Sequence, residues 1–128
     1  MSAMSDYLEG AIVNATLRNT TYTSPSTVYV GLFTSDPTDA GSGTEVSGGS
    51  YVREAATFGA PANGATVTTA DIAFTQATGT WGTVTHFGIF DASTAGNLLY
   101  HGALTTSKTI ETGDVFNITA GNLSVTLD

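Results

Sequence analysis

The chain has 128 residues, enough for one domain with a hydrophobic core. Charged residues make up only 11 % of it, less than half of the roughly 25 % usual in soluble proteins. Eleven carboxylates against three cations give a net charge of −8, which disfavours binding to nucleic acid or to an anionic membrane. The absence of cysteine excludes disulfides and thiolate metal sites. The first residues lack the basic and apolar segments of a signal peptide, so we expect a chain that assembles in a cytoplasm.

The first predicted element is a helix over residues 6–19. Asp6 is the predicted N-cap, with Glu9 as its reciprocal partner, and Asn19 is the predicted stop. One face carries apolar residues at helical spacing, namely Leu8, Ile12 and Ala15. A helix of about three turns is marginal alone, so this face should dock on the domain's own sheet or, as the alternative, on a neighbouring subunit.

The rest of the chain predicts strands punctuated by Gly, Asn and Asp. The expected strands are residues 27–34, 51–58, 65–69, 71–74, 81–90, 97–104, 114–119 and 123–128. In the first of them both faces are apolar, which indicates a central or covered strand. The fold class is therefore mainly β: an antiparallel β-sandwich, jelly-roll or Ig-like, with one short N-terminal helix, over a single domain of residues 1–128.

Residues 35–50 form a long Gly/Ser-rich loop, and loops of this length are usually functional or disordered. We expect it to make subunit contacts together with the helix. The predicted interface residues are Leu8, Ile12, Asp36, Pro37, Asp39 and Glu45. The three carboxylates of the loop could in principle hold a hard cation, but their spacing does not match an EF-hand. We therefore expect a solvated acidic loop, with no metal and no cofactor.

No catalytic residues are predicted, and we expect the chain not to be an enzyme. The two histidines, His86 and His101, lie in apolar strands, where a structural hydrogen bond is the commoner role. No nucleophile elbow or phosphate-binding loop occurs. Aromatic residues offer one other possibility, a platform that stacks on sugars, with Trp81, Tyr100 and Tyr29 as the candidates.

Three stretches, residues 22–38, 81–91 and 97–108, together with the helix before them, carry a family resemblance. From about Met4 to Asp128 the chain resembles a family of small tailed-phage virion proteins, which are loosely called tail-fibre or head-decoration proteins. The resemblance implies a β-sandwich building block that works by assembly, and it supplies no catalytic motif.

From the resemblance and the charge we expect a capsid decoration (cement) protein in the virion, on the outer surface of the shell. Its partners would be the major capsid protein and copies of itself, with a trimer as the candidate assembly, and neither nucleic acid nor membrane. The alternative is a tail component in a tube, collar or fibre-attachment position. A third hypothesis is a receptor- or glycan-binding module, and it requires an exposed Trp81.

Overall fold

A computed structural model describes residues 2–127 and shows a mainly β fold with one helix near the N-terminus. The elements are β1 (Ser2–Met4), α1 (Asp6–Leu17), β2 (Val28–Phe33), β3 (Glu54–Ala56), β4 (Ala65–Val67), β5 (Ile72–Ala73), β6 (Gly82–Phe90), β7 (Leu98–Ile110), β8 (Asn117–Ile118) and β9 (Ser124–Thr126). No helix among the described residues is long and apolar enough to cross a membrane.

The largest sheet has five antiparallel strands in the order β1-β7-β6-β2-β3. Two short antiparallel ladders, β4-β9 and β5-β8, complete the sandwich-like arrangement. The predicted mainly β class is confirmed.

The core lies between the large sheet and the short ladders. Alternate residues of the sheet strands point into it, as the period of two requires. The sheet contributes Val30, Leu32, Val84, Phe87 and Ile89, and the opposite side contributes Ile72, Phe74, Phe116, Ile118, Leu123 and Val125. The alternation in β2, and the long β-branched and aromatic run in β6, are what made these strands predictable.

The outer face of the same sheet is also covered. Phe33, Phe90 and Leu98 form a second buried cluster there. Gly31 and Gly88 are directly paired across β2 and β6. A Cβ on Gly31 would lie 2.8 Å from a Glu45 oxygen, and one on Gly88 would lie 2.9 Å from Leu98. Both glycines thus leave the space that the covering side chains fill. The strand order places β2 between β6 and β3, which confirms the predicted central strand.

The helix differs from its prediction at the N-terminus. The N-cap is Ser5, whose side chain accepts a hydrogen bond from the Leu8 amide, whereas Asp6 was expected to cap and is instead the first helical residue. The helix ends at Leu17, and Asn19 adopts a positive φ of 54°, the left-handed conformation that ends helices. The expectation that the apolar face docks on the sheet holds only for its first turn, because Leu8 is the one buried helical residue.

Several strands also depart from the sequence prediction. Strands β3 and β8 are shorter than the predicted strands 51–58 and 114–119. Strand β1 was not predicted at all, and β7 continues six residues beyond the expected end at Leu104, to Ile110. Within β7, a register shift leaves residues 104–107 opposite the single residue Thr85 of β6. The predicted end of the last strand at Asp128 lies outside the described residues.

Candidate assembly surfaces

The start of α1 is held by hydrogen bonds to β7 and to the 35–50 loop. The Ser5 hydroxyl donates to the Leu98 carbonyl at 2.5 Å, and the Ser5 amide donates to the Leu99 carbonyl at 2.9 Å. The Asp6 amide donates to the Asp39 carbonyl at 3.0 Å. Leu8, a predicted interface residue, is 3 % exposed and packs within the domain. It therefore has no free surface to offer a partner in this conformation.

The rest of α1 leaves its apolar side chains at the surface. Ile12, predicted as an interface residue, is 37 % exposed, while Val13 and Leu17 are 50 % and 79 % exposed. The interface prediction omitted Val13 and Leu17, although their four-residue spacing places both on one exposed row of the helix. Three exposed apolar residues on a single short helix form a surface that water solvates poorly.

The loop of residues 35–50 is held closely to the rest of the domain. Pro37 is fully buried, so it too offers no surface. His101 of β7 forms a 2.7 Å contact between its Nε2 and Asp39 Oδ1, and its Nδ1 lies 3.8 Å from Asp36 Oδ1. The Asp36 and Asp39 side chains are 58 % and 50 % exposed. Of the predicted loop contacts, these two carboxylates are the ones that reach solvent.

Glu45 lies in an internal ionic network. Its two carboxylate oxygens accept hydrogen bonds from Nη2 and Nε of Arg53, at 2.8 and 2.9 Å. Oε2 also accepts from the Tyr51 hydroxyl at 2.7 Å, and that hydroxyl accepts from the Leu32 amide at 2.8 Å. Burial, followed by the hydrogen bond to Glu45, raises the pKa of Tyr51 far above its ordinary range. No local sequence pattern indicates this network, because its members come together only through the fold.

Arg53 extends the network to the turn between β6 and β7. Its Nη1 donates to the carbonyls of Ala92 and Ala95, at 3.0 and 2.8 Å. Its guanidinium lies 3.5 Å from the centre of the Phe90 ring, a favourable cation–π contact. The network thus links the 35–50 loop, the segment before β3 and the β6–β7 turn through Arg53, and Glu45 is occupied by this internal contact.

Three exposed carboxylates from α1 and the loop lie close together. One oxygen each of Asp6, Glu9 and Asp39 falls within 4.8 Å of the others. The structure therefore does not bring together the trio first considered for a cation, Asp36, Asp39 and Glu45, because Glu45 pairs with Arg53. We describe the new trio as a negative patch at the start of the helix.

A groove of about 650 Å³ runs beside the second half of β7. Its walls are formed by Leu104, Thr106 and Lys108 on one side and by Asn117, Thr119 and Asn122 on the other. Strand β1 pairs with β7 only at residues 100–102. Among the described residues no strand pairs with residues 103–110 on that edge. This edge therefore presents unpaired backbone groups, which can accept another strand.

The aromatic candidates do not form an exposed platform around Trp81. Trp81 is 4 % exposed, its ring packs edge-on against Tyr51, and its Nε1 donates to the Gly49 carbonyl at 2.9 Å. Tyr100 is partly buried against the core. The glycan-binding hypothesis requires an exposed Trp81, and the burial of Trp81 removes its main support.

A family model described as "Podophage GP4 fiber I protein gp80" matches residues 3–126, nearly the whole chain. The chain belongs to this family. Membership makes it a phage virion structural protein and confirms the coarser part of the resemblance. A comparison with curated proteins found no match.

Proposed function

We propose that the chain is a structural subunit of the fibre apparatus of a tailed phage, in a fibre or fibre-attachment position. The observation that carries this proposal is the match of residues 3–126 to a family described as a fibre protein. The sequence-based prediction has a tail component in a tube, collar or fibre-attachment position as its alternative, and the family description favours this alternative over capsid decoration.

The geometry supports a role in assembly. The exposed apolar side chains of α1 and the unpaired edge of β7 are two surfaces that subunit contacts could cover. The 35–50 loop is already braced by the Glu45–Arg53 pair, so it can present Asp36 and Asp39 without a large ordering cost. In this proposal the chain acts by contact and not by catalysis, and its partners are further copies and neighbouring tail proteins.

Capsid decoration is the second candidate, and the charge supports it. A net charge of −8 suits the outer face of a shell, away from packaged DNA. Many weak contacts to the major capsid protein would then stabilise the shell, because a ligand that binds only the assembled state favours that state.

Copy number separates the two candidates. Quantitative mass spectrometry of purified virions gives the ratio of this protein to the major capsid protein. A fibre protein follows the low symmetry of the tail, so the expected ratio is a few per cent, and the protein should be missing from heads that lack tails. A ratio near one or one third, retained in tail-less heads, would replace the fibre proposal with decoration.

A further inference from the structure

The helix α1 has one exposed row whose composition the domain itself does not explain. Asp6, Gly10, Val13 and Leu17 follow one another at spacings of four, three and four, which places them along one side of the helix. All four are exposed. Leu8, the buried anchor, lies on the opposite side of the helix.

Gly10 is the residue in this row that most needs an explanation. Glycine inside a helix costs about 1 kcal/mol relative to alanine. A Cβ at this position would meet nothing within 4 Å, and Gly10 is not among the glycines with positive φ. Neither packing nor backbone conformation within the domain requires glycine here. A missing side chain on an exposed helix does, however, allow another backbone or side chain to approach closely.

The charges along the helix are arranged for an antiparallel neighbour. The N-terminal turn carries Asp6 and Glu9, with Asp39 beside them. At the other end, Arg18 is exposed, and the acceptor the structure gives its guanidinium is Asn14 Oδ1, at 3.1 Å. A guanidinium has five N–H donors, so Arg18 keeps donors for a carboxylate. A second helix running the opposite way would place its negative end beside this cation.

We propose that α1 pairs antiparallel with α1 of a second copy of this chain, along the row Asp6, Gly10, Val13 and Leu17. Aligning residue 10 of one helix with residue 13 of the other places Val13 of each copy over Gly10 of the other. The same register puts residue 17 beside residue 6, and Arg18 then reaches the carboxylate of Asp6. The pairing covers two of the most exposed apolar residues of the helix, and it applies equally to a fibre and to a shell.

The contact is small. Two helices of twelve residues bury far less than the roughly 1,200 Å² of a stable interface. The free chain should therefore associate weakly, and association should strengthen where neighbouring subunits hold the copies close together.

Single cysteines test the geometry directly, because the natural chain contains none. At a rise of about 1.5 Å per residue, two copies of residue 13 are offset by roughly 4–5 Å along an antiparallel pair, and two copies of residue 17 by roughly 16 Å. Treatment of the full chain at high concentration with a short bismaleimide should therefore link Val13→Cys into dimers and leave Leu17→Cys near background. Val67→Cys, an exposed site on the short β4-β9 ladder, supplies that background.

Each other outcome contradicts the proposal. Equal linking of Val13→Cys and Leu17→Cys would indicate parallel helices, and linking of Leu17→Cys alone would exclude this register. If neither variant exceeds Val67→Cys, the row does not meet a second copy.

Charge exchange provides a second measurement, by sedimentation equilibrium. Arg18→Glu should weaken self-association by roughly threefold or more, as expected for loss and reversal of an exposed ion pair. Adding Asp6→Arg should restore most of it. If the double variant is as weak as the single one, Arg18 and Asp6 do not meet across the interface. Circular dichroism of each variant checks that the helix is retained.

Discussion

Arg53→Met tests whether the internal ionic network, and not the core alone, holds the 35–50 loop in place. The Arg53 side chain is 9 % exposed and makes four hydrogen bonds, two to Glu45 and two to carbonyls of the β6–β7 turn. Methionine keeps most of the aliphatic volume and can still contact Phe90, so the substitution removes the charge and the donors without opening a large cavity.

The expected loss in the free energy of unfolding depends on the groups that Arg53→Met leaves without a partner. Removing one partner of a buried ion pair costs about 3–5 kcal/mol, because the other charge stays buried. Glu45 is 24 % exposed and keeps the hydrogen bond from Tyr51, which places the expected loss near the lower end, about 3 kcal/mol. The free energy of unfolding of a small domain is about 5–15 kcal/mol in total, so a loss of this size should be measurable by urea titration.

Arg18→Met is the matched control, since it removes an exposed cation with one side-chain acceptor. Its effect at low protein concentration should stay within about 0.5 kcal/mol. Glu45→Gln in the Arg53→Met background should cost less than in the natural chain, because the two residues are directly coupled. If Arg53→Met loses less than about 1 kcal/mol, or no more than Arg18→Met, the network does not stabilise the loop.

Two further predictions concern single hydroxyl groups. Ser5→Ala removes the helix N-cap and a buried hydrogen bond to Leu98; it should lower the free energy of unfolding by about 2 kcal/mol, while Ser26→Ala at an exposed position should leave the urea midpoint unchanged. The second concerns pH: because the pKa of Tyr51 is raised, first by burial and then by Glu45, the folded chain keeps a proton that the unfolded chain loses. The stability from this group is thus complete below the unfolded value of 10.0 and declines as pH rises above it. Between about pH 8 and about pH 11 the natural chain should lose more stability than Tyr51→Phe, by roughly 1 kcal/mol, and equal losses would show that this phenol does not titrate with unfolding.

The sequence predicted those elements that a pattern of neighbouring residues indicates. Strand β2 alternates apolar residues, β6 is a long run of β-branched and aromatic residues, and Asn19 marks the end of the helix. The pattern could not find β1, because three residues have no period, and their strand conformation comes from pairing with residues 100–102 of β7. It chose Asp6 over Ser5 as the cap because both residue types cap helices. The choice depends on the Leu98 carbonyl, which is 93 positions away in the chain.

Some of the predicted interface residues are buried and others are exposed, for a similar reason. Spacing alone placed Leu8 and Ile12 on one helical face, but the helix contacts β7 mainly through its first turn, so Leu8 is buried and Ile12 is not. In the loop, carboxylates looked equivalent in sequence. In the folded chain Glu45 forms an ion pair with Arg53, whereas Asp36 and Asp39 stay exposed beside His101.

The positions of the chain's three cations show how a protein with few charged residues can direct its association to particular surfaces. Arg53 is used inside the fold, where it braces the loop. The other two, Arg18 and Lys108, are exposed, one at the end of α1 and one on the unpaired edge of β7. With eleven carboxylates in the chain, copies of it repel one another over most orientations. The approaches that bring a cation toward a carboxylate are those that involve α1 or the edge of β7, so charge directs association to the same two elements that carry exposed apolar and unpaired backbone groups.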